Sequence, residues 1–149
     1  MSLKDMLNED MKAAMKDKEN GKLRLSVIRM ARSAIKNIEI DKKRELSEEE
    51  VIEVLAREVK QRRDAIAEYE RANRDDIANT LKEEIAILMK YLPEQLSADE
   101  IRKLAQEVIA EVNPSGPKDM GKVMGKLMPK VKGKADGKLV NEIVRELLS

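Results

Sequence analysis

"SEEEVIEVLAREVKQRRDAIAEYER", residues 47–71, decides the fold class. Ser47 and Glu50 stand three apart at its start, the spacing at which a hydroxyl and a carboxylate satisfy each other's backbone N–H at a helix N-terminus. Behind them Val51, Ile52, Leu55, Val59 and Ile66 recur at helical intervals, giving one apolar face on an otherwise charged segment. The three glutamates at 48–50 fall where the positive end of a helix dipole favours acids. The pattern predicts a long helix from about Glu48 to Arg71. No run of β-branched or aromatic residues alternates with period two anywhere in the chain, so no sheet is expected and the fold class is all-α.

The same periodicity extends in both directions. Leu3, Met6, Leu7, Met11, Ala14 and Met15 predict a first helix from a cap at Ser2 to about Lys18, which Asn20-Gly21 breaks. Leu23, Val27, Ile28, Ala31, Ile35 and Ile38 predict a second. Beyond "NRDD", Ile77, Leu81, Ile85, Leu88, Met89 and Leu92 predict a fourth, closed by Pro93. "PEQLSADE" reads as a linker into a second capping pattern, Ser97 with Glu100, and a fifth helix through Ile101, Leu104, Val108, Ile109 and Val112. Pro117 suits the start of a sixth, carrying Met120, Val123, Met124, Leu127 and Met128, which Pro129 is expected to kink or end. Asp136 caps a seventh with Leu139, Val140, Ile143, Val144, Leu147 and Leu148. The expected organisation is an N-terminal helical unit of about four helices over 1–92 and a three-helix unit over 93–149.

Composition prunes the chemistry. The 149 residues include no His, Cys, Phe or Trp, so the commonest general base, the best thiolate nucleophile and the usual zinc ligands are missing. "GKADGK" lacks the spacing of a phosphate-binding loop and follows no strand. No enzyme, cofactor or metal is expected. The charged N-terminus has no signal-peptide core, and no window approaches the roughly 18 apolar residues of a membrane span. These features make a soluble cytoplasmic protein the expectation, with no membrane partner.

The net charge of +1 conceals strong segregation. Residues 22–44 carry eight Lys or Arg against Glu39 and Asp41, and residues 114–140 carry seven Lys against Asp119 and Asp136. In the first cluster Arg24, Arg32 and Lys36 lie off the apolar stripe, and such a helix can meet RNA, an acidic protein or a membrane surface. In the second, Lys118, Lys122 and Lys126 fall opposite the Met120–Met128 stripe, which by itself makes them a solvated face. Three details favour a phosphate-rich partner instead. The lysines have no acids at helical spacing; Gly121 and Gly125 each cost about 1 kcal/mol in a helix, which a close approach would offset; and Pro129 would present Lys130, Lys132 and Lys134 from a mobile connection. With Tyr69 and Tyr91 the only aromatics, RNA would be read through backbone and shape rather than by base stacking.

"YLPEQLSADEI" (91–101), "GPKDMGKVMGKLMPKVKGKADGKLVNEIV" (116–144) and "LSVIRMARSAIKNIEI" (25–40) closely resemble the YqeY-like proteins, over nearly the whole chain. That family is similar to the C-terminal tail of GatB, the tRNA-handling subunit of the tRNA-dependent amidotransferase, and to appendages on some glutaminyl-tRNA synthetases. "KGKADGKLVN" (132–141) looks like the "KGxA(N/D)xxxVN" ending of GatB tails. The resemblance implies an all-helical module that engages the tRNA body, with an aminoacyl-tRNA synthetase or amidotransferase as a further partner. It implies no carbon–nitrogen ligase activity, because the GatB domain that activates the aminoacyl ester has no counterpart here. Residue by residue it points to Lys118, Lys122, Lys126, Lys132, Lys134 and Lys138 as tRNA contacts, with Gly121, Gly125 and Gly133 permitting close approach. The alternative role is an adaptor whose methionine-rich helices dock on a synthetase or amidotransferase.

Overall fold

Ser47 Oγ accepts the backbone N–H of Glu50 at 3.2 Å, and the Glu50 carboxylate accepts that of Ser47 at 3.0 Å. Ser2 and Asp5 cap the first helix reciprocally in the same way. A computed structural model describes all residues, Met1–Ser149. Its helices are α1 (Leu3–Lys16), α2 (Lys22–Lys42), α3 (Glu48–Arg71), α4 (Asp75–Met89), α5 (Ala98–Val112), α6 (Met120–Val131) and α7 (Gly137–Leu148). There is no strand, and 3-10 turns occupy Lys18–Gly21 and Pro117–Asp119. The all-α expectation holds. No helix is long and apolar enough to cross a membrane. The chain forms two compact units, Met1–Leu92 and Pro93–Ser149.

In the first unit, Leu7 of α1, Ile28 and Ile35 of α2, Val51 and Leu55 of α3 and Leu88 of α4 make one aliphatic core. Each side chain of this size contributes about 1.5–3 kcal/mol when fully buried. Polar clasps add direction to this packing. Tyr91, buried just beyond α4, donates its hydroxyl to Asp10 of α1, eighty-one residues away. Arg62, buried on α3, donates to Glu84 of α4 at 2.9 Å and to the carbonyl of Glu58 at 3.0 Å. Removing one partner of that buried group would leave an uncompensated charge.

In the second unit Ile101, Ala105 and Val108 of α5, Val123, Leu127 and Val131 of α6, and Val140 and Val144 of α7 are fully buried together. Three sequence expectations are corrected by the helix ends. The α4 helix stops at Met89 and a turn covers Lys90–Leu92 before Pro93. Residues Pro117–Asp119 form a 3-10 turn ahead of α6 instead of its first α-turn. Pro129 does not end α6, which runs on to Val131. A proline ring presses on the carbonyl four residues back. Here that residue is Gly125, whose neighbourhood is empty on the solvent side, and burial of Val131 draws the chain on past the proline.

Gly21 was legible only as a helix breaker, and the structure gives it a second role. A Cβ there would lie 2.1 Å from the carbonyl oxygen of Ala14, itself buried. The turn back from α1 into α2 closes only because nothing occupies that space. Gly21→Ala is expected to cost about 2 kcal/mol or more, as overpacking against backbone does. A thermal melt should show a clear loss of Tm, and an unchanged Tm would refute the close approach.

Candidate nucleic-acid interface

Helix α6 buries Val123, Leu127 and Val131, and the 3.6-residue repeat then decides what its other sides carry. Lys122, Lys126 and Lys130 are exposed at four-residue spacing, continuing the row from Lys118 in the preceding turn. Alongside them run Gly121, Gly125 and Pro129, also exposed, so this stripe has no long side chain. A Cβ built on either glycine meets nothing within 4 Å. No backbone of this chain closes on them, and the helix lies open there.

The expectation that the lysines have no acids at helical spacing is corrected at one position. Asp119 lies 3.8 Å from Lys122, an i,i+3 pair on a lysine whose side chain is 73% exposed. Such an exposed pair contributes little. Asp119 is chiefly occupied by Ser115, whose backbone N–H and hydroxyl both donate to it at 2.8 Å; these bonds hold its carboxyl below the ordinary range. Lys118, Lys126, Lys130, Lys134 and Lys138 have no carboxylate at ion-pair distance.

After α6 the chain turns through residues 132–136, and this connection is anchored. The Lys134 carbonyl accepts from Leu96 N–H at 2.8 Å, the Gly133 carbonyl from Gln95 Nε2 at 2.9 Å, and Lys134 N–H donates to Val131 at 2.8 Å. Gly133 has φ +75°, a left-handed conformation that glycine adopts without strain. Its role is in the turn. "PEQL" therefore acts as a clamp that carries the exposed side chains of Lys132 and Lys134 on a fixed backbone. Lys138 follows at the first turn of α7, where Asp136 Oδ1 accepts its N–H.

The first unit treats its three candidates differently. Arg24 is ion-paired with Asp17, just past the end of α1. Arg32 and Lys36 line a groove of about 560 Å³ between α1 and α2, together with Arg29, which sequence reasoning left as one of a cluster, and Lys4, which it missed. Leu7 and Ile35 form its floor. Lys4 Nζ is 2.8 Å from Glu39, which also accepts the Leu46 N–H at 2.8 Å. The bond from Lys4, then that from Leu46, holds the Glu39 carboxyl below its ordinary value.

A family model described as Yqey-like protein matches residues 4–148. The protein named "Altered inheritance of mitochondria protein 41, mitochondrial" from Kluyveromyces lactis is 36% identical over 115 residues, covering 74% of this chain and 60% of the relative. Its Candida glabrata counterpart is 36% identical over 115 residues, covering 74% and 62%. The chain thus spans about 60% of the length of these curated relatives. Their names state no activity and no ligand. They do name mitochondrial proteins, which overturns the cytoplasmic expectation; a charged first helix without an apolar core does not separate the two compartments.

The Glu39 contacts carry a pH dependence. A carboxyl whose folded pKa is depressed contributes stability above its unfolded pKa and loses it as pH falls towards the folded one. For Glu39 that loss begins near the ordinary value of 4.5 and grows at lower pH. Melts from pH 7 to 3 should show Tm falling below about pH 4.5, with a shallower fall for Glu39→Gln. Equal acid slopes would show that the Lys4 and Leu46 contacts do not depend on charge.

Proposed function

The chain belongs to the YqeY-like family, and we propose that it is a non-catalytic tRNA-binding accessory module that grips phosphate through the lysine edge of its second unit. The observation that carries this reading is the row Lys118, Lys122, Lys126 and Lys130 running beside the open Gly121–Gly125–Pro129 stripe. Like charges one turn apart repel and destabilise a helix, so the row costs folding free energy unless an anion meets it. The absent side chains let a sugar–phosphate strand approach the helix surface while flexible lysines reach its oxygens from one side. The clamped turn adds Lys134 and the first turn of α7 adds Lys138 on fixed backbone. The resemblance of "KGKADGKLVN" to GatB tails supports tRNA as the source of that phosphate.

Neither tyrosine belongs to the second unit, which agrees with recognition by backbone and shape: Tyr69, 38% exposed, lies near the end of α3. Tyr91 is 5% exposed and its hydroxyl is held by Asp10, so it offers no face for a base to stack on. Catalysis has no support in the side chains: the chain has neither His nor Cys. An accessory role, delivering or holding tRNA for an amidotransferase or synthetase, fits a surface that binds and does not react.

Binding of bulk tRNA across a salt series tests this, with the quadruple variant Lys122→Ala, Lys126→Ala, Lys130→Ala, Lys134→Ala beside the unaltered chain. Each duplex phosphate contact contributes about 0.9 to the slope of log K against log salt, so losing four should flatten it by roughly 3.6. Absence of tRNA binding at low salt, or an unchanged slope in the variant, would sink the proposal. A second arm separates charge from approach. In Gly121→Leu/Gly125→Leu the helix should gain up to about 1 kcal/mol per site, because glycine is the poorer helix former and the new side chains meet open space. Its Tm should rise while tRNA affinity falls about tenfold; retained affinity would show that nothing approaches along the stripe.

A further inference from the structure

The α1–α2 groove has a chemistry different from the lysine edge. Its floor is closed by the core residues Leu7 and Ile35, and one side is cationic, from Arg29, Arg32 and Lys36 on successive turns of α2. Neither tyrosine lines it. The only carboxylate in its lining, Glu39, is already engaged by Lys4 and Leu46. Arg32 holds its guanidinium against the thioether of Met11 at 3.0 Å, so its charge stays at the groove wall, and neither Arg29 nor Lys36 is ion-paired. Large apolar side chains continue both walls. Met15 follows Lys4, Asn8 and Met11 along one face of α1 and is 50% exposed. Ile40 stands one turn beyond Lys36 on α2 and is 60% exposed.

We infer that this groove is a docking site for an acidic amphipathic helix of a partner protein. The occupant must be both apolar and anionic. A nucleic acid supplies charge but has no use for the exposed Met15 and Ile40, and it finds no ring to stack on. A helix supplies both on one surface, since acids at i, i+3 and i+7 repeat at the spacing of Arg29, Arg32 and Lys36, about 10 Å over seven residues. Its apolar stripe would lie on the exposed side chains of Met15 and Ile40, and the charged rim fixes its register. The site is independent of the tRNA reading: it uses none of the second unit's lysines.

The probe is a fluorescein-labelled 21-residue peptide of three heptads with Leu at a and d, Glu at b and e, and Ala or Gln elsewhere. It is titrated with the full chain by anisotropy. Saturable binding is expected, weakened about tenfold or more in Arg29→Glu/Lys36→Glu. Both positions are exposed and make no ion pair, so that variant should stay folded, with Tm lowered only slightly by the repulsion between a glutamate at 36 and Glu39. A peptide of the same composition with its leucines scattered around the helix should bind at least tenfold more weakly. Amide resonances that shift on binding should cluster on α1 and α2, and the quadruple lysine variant should bind the peptide as the parent does. Three results would overturn the inference: no binding, equal binding of the scattered peptide, or competitive displacement by tRNA together with loss of tRNA affinity in Arg29→Glu/Lys36→Glu. The last would assign the groove to nucleic acid.

Discussion

Thirty cations and twenty-nine acids would nearly neutralise one another if evenly spread, and the surface depends on their not being so. Carboxylates of the first unit sit at its joints. Glu50 accepts both guanidinium nitrogens of Arg44, the Lys42 ammonium and the Ser47 N–H, locking the corner between α2 and α3. Asp10 holds Tyr91 and Lys90, Glu39 holds Lys4 and Leu46, and Glu84 holds Arg62. Each joint removes an acid from the pool that could mask lysines elsewhere. In the second unit Asp119 and Asp136 are used in the same way, by Ser115 and by the α7 cap. The cations left over define the edge of α6 and the wall of the α1–α2 groove.

What the sequence made legible was local. Helix positions follow from a 3.6-residue apolar repeat and from caps three residues apart, and both act within one or two turns. The seven helices and the long α3 were readable for that reason. Contacts between segments distant in sequence were not. Nothing local says that Arg62, in a stretch that reads as merely basic, will find Glu84 on α4, or that Gly21 must lie against the Ala14 carbonyl. Nor does "PEQL" reveal that its Leu96 N–H and Gln95 side chain will fasten the turn after α6.

The candidate site divides along the same line. The lysine row and the glycine stripe are periodic and could be read directly. Asp119 beside Lys122 was equally local and was overlooked, but other environments could not be read: Arg24 is engaged by Asp17, and the glycines face open space instead of a packed backbone. Lys4 escaped notice because its groove exists only once α1 has folded back on α2.

Helix α6 shows how local cost and tertiary gain are balanced. Two glycines at about 1 kcal/mol each and a proline at about 3 kcal/mol make this sequence a poor helix in isolation. Three fully buried aliphatic side chains, Val123, Leu127 and Val131, contribute about 1.5–3 kcal/mol each and are enough to hold it. All the residues that weaken the helix lie on its open side, and all those that hold it lie in the core. A sequence shaped by folding alone would place alanine or glutamate on that open side and lose nothing in packing. The glycines and lysines found there are not explained by folding, and the core of the second unit bears their cost.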